Sequence, residues 1–173
     1  MQANYPLTIR WVHFPLHPDT PLAGLALADL FKGRDLAGMH RAMNERMAAA
    51  GLTYGDRSMT YNSRLAQELG KWAETQAGGD AIHMALFRAY FVANRNIGLI
   101  DVLVEIAESI GLDTGQARQV LEQRTYRAQV DKDWQYSYAT GITGVPAFLA
   151  KNQIVVGCQP YAVLERFVKQ LQG

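Results

Sequence analysis

The side chains able to do redox or nucleophilic work are few. Cys158 is the one cysteine in 173 residues, so no Cys-x-x-Cys pair is present, nor can the chain close a disulfide on itself. A lone thiol can form a mixed disulfide with a second molecule but cannot resolve it without another thiol. The other reading of Cys158 is a small buried hydrophobe, the usual role of a free cysteine. His13 and His17 flank prolines and have no acidic or cysteine partner at metal-site spacing, while His40 and His83 fall inside helical patterns. These four histidines are expected to be loop or core residues, and no metal site is predicted. The sequence has no Gly-x-Ser-x-Gly, no phosphate-binding glycine loop and no His-Glu-x-x-His. What it does have is Gly141-Ile142-Thr143-Gly144-Val145-Pro146 running straight into the apolar stretch Ala147-Phe148-Leu149.

Composition narrows the partners. Seventeen basic against sixteen acidic residues give a net charge of +1, which supplies no long-range field for nucleic acid or an anionic membrane. A hydrophobic content of 49% is enough to fill a real core. No apolar run approaches the roughly 20 residues of a membrane span. Met1-Gln2-Ala3-Asn4-Tyr5-Pro6 lacks the basic and apolar regions of a signal peptide. A cytoplasmic protein is expected.

The elements that must position these residues follow from periodicity. Leu7 to Val12 alternates apolar and polar side chains and reads as a strand, ending in a loop whose Pro15, Pro18 and Pro21 block helix growth until about Ala23. Leu36, Met39, Met43 and Met47 share one helical face, predicted to be buried, and Gly51 ends that helix. Asn62 is placed to cap the next, with Leu65, Leu69, Trp72, Ala73 and Gln76 on one side and Gly78-Gly79 as its stop. Asp80 is expected to cap a helix burying Ile82, Leu86, Phe87, Tyr90 and Phe91. A fourth spans about Asp101 to Ile110 and ends at Gly111, and Asp113 with Gln116 resembles a capping box. The last interior helix covers about Tyr126 to Thr140, with Gly141 at its end. Trp11, Phe14, Trp72, Phe87, Tyr90 and Phe91 are read as core rather than as a ligand groove.

Beyond Pro146 the period changes. Ala147 to Ala150 and Ile154 to Val156 flank Lys151-Asn152-Gln153 at hairpin spacing, and Pro160 opens a helix with Leu164, Phe167, Val168 and Leu171 on one face.

Several of these stretches together resemble a known family. Phe14-Pro15-Leu16-His17-Pro18 after a strand, Asn62-Ser63-x-x-Ala66-x-x-Leu69 opening a helix, Phe87-x-Ala89-Tyr90-Phe91, and Gly144-Val145-Pro146 with Gly157-Cys158-Gln159-Pro160 look like the DsbA-like thioredoxin family, FrnE-type branch. The similarity covers nearly the whole chain in the family's order. It implies an α/β fold: a thioredoxin-like core at 1–22 and 141–173 carrying an all-helical insertion at 23–140. It also implies thiol-disulfide oxidoreductase or isomerase activity on a disulfide- or thiol-containing protein or small molecule, without a cofactor. Pro146 would be a cis-proline against which substrate backbone lies, and Val145 would present its own backbone to that substrate.

In that family a first strand and a helix carrying Cys-x-x-Cys precede the strand resembling Leu7 to Val12, and neither is present here. The expectation is a truncated form that is inactive alone, whose remaining strands pair directly or exchange in a homodimer. Two other functions are compatible with the resemblance. One is a kappa-class glutathione transferase or 2-hydroxychromene-2-carboxylate isomerase, and the other is a non-catalytic thioredoxin-like binding module. In the thioredoxin topology Cys158 returns to the same edge as Pro146.

Overall fold

The computed structural model describes residue 1 and residues 3–172, with the side chain of Gln172 outside the description. Two compact units emerge, one formed by residues 1–16 and 131–173 and the other by residues 17–130.

The unit of residues 17–130 is built from helices. A two-residue antiparallel bridge joins β1 (Leu25–Ala26) to β2 (Met59–Thr60), with Leu25 opposite Thr60. Between them lie the short α1 (Leu27–Leu30) and α2 (Leu36–Ala49). Then follow α3 (Arg64–Ala73), α4 (Ala81–Phe91), α5 (Ile100–Ser109) and α6 (Thr114–Gln123). Its core is Leu69, Trp72 and Ala73 from α3, Ile82 and Leu86 from α4, Leu103, Ile106 and Ala107 from α5, and Ala117 and Leu121 from α6. Each large apolar side chain so buried contributes about 1.5–3 kcal/mol of transfer free energy, so the apolar stripes of α3 to α6 hold this unit together.

Local signals explain where the helices start and stop. The Asp113 carboxylate accepts from the Gln116 amide at 2.7 Å, the predicted cap of α6. Gly51, at φ +70°, ends α2 with two reversed bonds: its own amide to Ala48 O at 2.9 Å and the Leu52 amide to Met47 O at 2.8 Å. Asn62 lies one residue before the Ser63 cap position of α3. Its Oδ1 accepts from the Arg64 amide at 2.9 Å while its Nδ2 donates to the carbonyls of Pro18 and Thr20. It thus fastens the proline-rich loop to the start of α3.

Three expectations fail here. The methionine face of α2 is not buried: no residue of that helix is, and Met39 and Met43 are exposed. Periodicity marks a face but not what covers it. Asp80 makes no side-chain cap bond because it already has helical backbone angles, φ −57° and ψ −25°, which turn its side chain from the cap geometry. Phe87 is exposed, since α4 turns Ile82, His83, Leu86 and Ala89 inward instead.

The other unit contains the carboxyl-terminal part of α7 (Arg127–Ala139), the antiparallel hairpin β3 (Ala147–Ala150) and β4 (Gln153–Val156), and α8 (Tyr161–Gln172). Lys151 at φ +51° and Asn152 make the turn. Phe167 and Val168 of α8 are buried, as the sequence pattern requires. At the amino end, Tyr5 donates to Glu165 at 2.8 Å and the His13 amide donates to Asp133 at 2.9 Å.

Leu7 to Val12 is not a strand. Ile9 and Trp11, on the apolar side of the alternation, are 52% and 45% exposed, so the period-two pattern has no buried face. Among the described residues the ladders are β1 with β2 and β3 with β4, and direct pairing of Leu7 to Val12 with the hairpin is therefore not what the chain adopts.

Candidate functional site

The loop from α7 to β3 is shaped first by Gly141. At φ +72° it reverses the chain, with its amide bonded to Tyr138 O and the Ile142 amide bonded to Ser137 O, both at 3.0 Å. Ile142 to Val145 then leads to a cis Val145–Pro146 peptide, and β3 starts at the next residue.

The hairpin ties the loop to Gly157, the residue before Cys158. Ala147 stands opposite Val156, and beyond that pair the Gly157 amide donates to Pro146 O at 2.7 Å. Gly157 has φ +89°, a left-handed geometry that favours glycine, and the Gln159 side chain donates to Val156 O at 2.7 Å, which closes the turn after β4. Val145 is 50% exposed, and Pro146 and Cys158 are exposed as well. The loop can therefore offer an exposed apolar surface, and Cys158 an accessible thiol, to an approaching chain. Ile154 and Val156 are exposed on one face of the hairpin, and Phe148 on the other.

The histidines have other partners. His13 is engaged through its backbone, with its amide on Asp133 and its carbonyl accepting from Ser137 Oγ at 3.3 Å. The His17 carbonyl accepts from Thr20. His40 lies between Gly55 O at 3.1 Å and Asn44 at 3.0 Å, and His83 is buried with Glu74 at 3.3 Å. Among the described residues no group of three or more His, Cys, Asp or Glu side chains is arranged to hold a metal ion, and no helix is long and apolar enough to cross a membrane.

Sequence reasoning overlooked two polar clusters. Glu68 is 0% exposed in the middle of α3, where Arg64 Nε reaches Oε1 at 2.8 Å and Arg124 reaches both oxygens at 2.7 Å. The four-residue spacing from Arg64 to Glu68 was a legible signal, whereas the fifty-six residues to Arg124 were not. In the second cluster Arg57 lies over the Tyr90 ring, 4.1 Å from its centroid, and donates to the Tyr90 hydroxyl at 2.6 Å, which also bonds Thr60 Oγ1.

Comparison with known proteins agrees with the geometry of the hairpin unit and the helices. The family described as DSBA-like thioredoxin domain matches residues 1–169. The uncharacterized protein YwbO of Bacillus subtilis is 31% identical over 109 residues, 62% of this chain, and the match spans 54% of YwbO, about half its length. Among solved structures, a probable DsbA oxidoreductase from Streptomyces coelicolor superposes with a TM-score of 0.82 at 26% identity, over 90% of this chain and 71% of that one. A 2-hydroxychromene-2-carboxylate isomerase superposes with a TM-score of 0.74 at 18% identity, over 98% of this chain and 83% of the other. The cytosolic disulfide reductase DsbM of Pseudomonas aeruginosa does so with a TM-score of 0.58 at 22% identity, over 80% and 78%. The last two likenesses are of fold. The architecture is thus a mixed α/β, helix-rich, DsbA-like thioredoxin fold.

Proposed function

This chain belongs to the DSBA-like thioredoxin domain family, and from that premise we propose that it is the substrate-docking part of a thiol-disulfide oxidoreductase or isomerase whose dithiol comes from residues outside this sequence. The observation that carries the reading is the exposed Val145–Pro146 edge entering β3, in a family of oxidoreductase relatives, on a chain with one cysteine. A substrate peptide would lie extended along Val145 and Pro146. The attacking thiolate of the dithiol would form a mixed disulfide with one substrate sulfur and release the other as a thiolate. The second thiol of the pair would then displace the first bond, leaving the dithiol oxidised and the substrate reduced by two electrons. Cys158 is the one thiol of this chain and follows Gly157, whose amide bonds Pro146 O, but it has no partner thiol to complete the cycle.

The test is turbidity from insulin reduction in dithiothreitol. The 173-residue chain should stay at the rate of dithiothreitol alone, and the same chain joined to a strand and helix bearing Cys-x-x-Cys should exceed it. Catalysis by the chain as it stands, abolished by Cys158→Ala, would overturn the proposal.

The exposed apolar residues of the hairpin and of Ile9 and Trp11 also support strand exchange between two copies, which would cover them. Light scattering after size exclusion tests this; a monomer at all concentrations would refute it.

A further inference from the structure

Of the six methionines in the chain, Met39, Met43 and Met47 lie on α2 at four-residue spacing. Side chains so spaced stand next to one another on a helix, with Cβ atoms about 5–6 Å apart. No residue of α2 is buried, and Met39 and Met43 are 41% and 40% exposed, whereas Met47 is half-buried. Gly38 and Ala42 are small neighbours on the same helix, so they have little side chain with which to shade the two thioethers from water.

The helix is held by other residues. Asp35 caps its start, accepting from the Gly38 amide at 2.9 Å, and Gly51 ends it with the reversed bonds described above. The His40 ring bonds Gly55 O at 3.1 Å and Asn44 at 3.0 Å, which ties α2 to the segment leading into β2. A chemical change at Met39 or Met43 therefore neither empties a core site nor breaks a bond that fixes the helix. Met59 is the contrast: it is half-buried in β2, opposite Ala26, and its carbonyl accepts from Arg57 at 3.2 Å.

A thioether in water is a nucleophile toward peroxide. Its sulfur attacks one peroxide oxygen, the O–O bond breaks, and the products from hydrogen peroxide are the sulfoxide and water. The sulfur is oxidised by two electrons and the peroxide is reduced by two. The sulfoxide is polar and chiral, so in a core it disrupts packing, and it is returned to the thioether by the sulfoxide reductases, one for each epimer. On α2 there is no core packing to disrupt.

We propose that Met39 and Met43 form a reversible oxidation site for hydroperoxides, a pair that turns one face of α2 from apolar to polar while the fold stays intact. The site lies on the helical unit and is independent of the thiol chemistry proposed for the Val145–Pro146 edge.

Peptide mass spectrometry after graded hydrogen peroxide, on full-length Cys158→Ala protein in buffer and in urea, reads the oxidation rate at each methionine. Met39 and Met43 should react in the native protein within about a factor of two of their rates in urea, as exposed thioethers do. They should match Met84, which is 48% exposed on α4, while Met59 should be slowed by folding. Adding Met39→Leu and Met43→Leu should remove two oxygen atoms from the fast uptake. Protein carrying both sulfoxides should keep its circular dichroism and thermal midpoint, and the two reductases with dithiothreitol should restore both thioethers without unfolding. Protection of Met39 or Met43 to the degree of Met59 would overturn the proposal. So would a loss of fold on oxidation that the double leucine variant escapes, or sulfoxides that are reduced only in urea.

Discussion

Glu68 and Arg124 meet through two hydrogen bonds of 2.7 Å, Nε to Oε2 and Nη2 to Oε1, and join the fully buried centre of α3 to the end of α6. Arg124 itself has φ +54°, so the residue that terminates α6 in a left-handed geometry also supplies the countercharge. Arg64 Nε also donates to Oε1, at 2.8 Å, and its Nη2 donates to Arg127 O at 2.9 Å. The buried charge is thus neutralised from both directions.

Removing the carboxylate leaves two guanidiniums facing a cavity in the core. Glu68→Ala should destabilise the protein by about 3–5 kcal/mol, the range for breaking a buried pair by deleting one partner. Arg124→Ala should cost less, about 1–3 kcal/mol, because Arg64 still pairs with the carboxylate and Arg124 is partly in water. Urea unfolding monitored by circular dichroism measures both. Equal costs, or a Glu68→Ala cost near zero, would mean that the cluster does not tie α3 to α6.

His83 introduces a pH dependence. It is buried on α4, and burial holds it below the ordinary histidine value, against the opposing attraction of Glu74 and Asp80; Lys71 acts in the same direction as burial. The unfolded chain takes up this proton near pH 6.5, and the folded chain does so only at lower pH. Between those points the unfolded state binds more protons, so the contribution of neutral His83 is complete above about pH 6.5 and is lost as the pH falls below it. The stability gap between wild type and His83→Gln should therefore narrow on going from neutral to mildly acidic solution. A gap that stays constant in urea titrations across that interval would show that His83 does not titrate differently on folding.

These two clusters also mark what the sequence could and could not disclose. Caps and stops were legible because they are local: Asp113 with Gln116, Gly51 and Gly141 all act within a few residues. The hairpin was legible because its turn and its alternating strands are adjacent. Burial was not, since Met39 and Met43 have the same spacing as a core stripe yet no element covers them. Leu7 to Val12 failed as a strand for the related reason that alternation needs a ladder and a buried face to become one. Of the candidate edge, Val145 and Pro146 were expected from the family's pattern, while the exposure of Cys158 became visible only in the fold.

Close backbone approach gives a third expectation. A Cβ built on Gly79 would lie 1.7 Å from Ala73 O, where the chain folds back against the end of α3, and a backbone oxygen cannot move aside cheaply. Gly144, two residues before Pro146, has nothing within 4 Å and needs no left-handed backbone. Gly79→Ala should therefore cost more than about 2 kcal/mol through steric displacement, whereas Gly144→Ala should lie within about 0.5 kcal/mol of wild type. Thermal denaturation of the two variants separates them, and a reversed order would contradict the packing at the exit of α3.

The exposed edge makes the last expectation chemical. Cys158 follows Gly157, whose amide is fixed to Pro146 O at 2.7 Å, so the backbone is held while the side chain is open to water. A free thiol in that setting should react with Ellman's reagent in the native state, to one equivalent and without waiting for unfolding. Cys158→Ala should remove the reaction and change stability by less than about 0.5 kcal/mol, as for a surface substitution. A substrate-like peptide lying along Val145 and Pro146 would cover the thiol, so its addition should slow the labelling. Labelling limited by the unfolding rate would place Cys158 inside the protein, and labelling unaffected by saturating peptide would separate the thiol from the Val145–Pro146 edge.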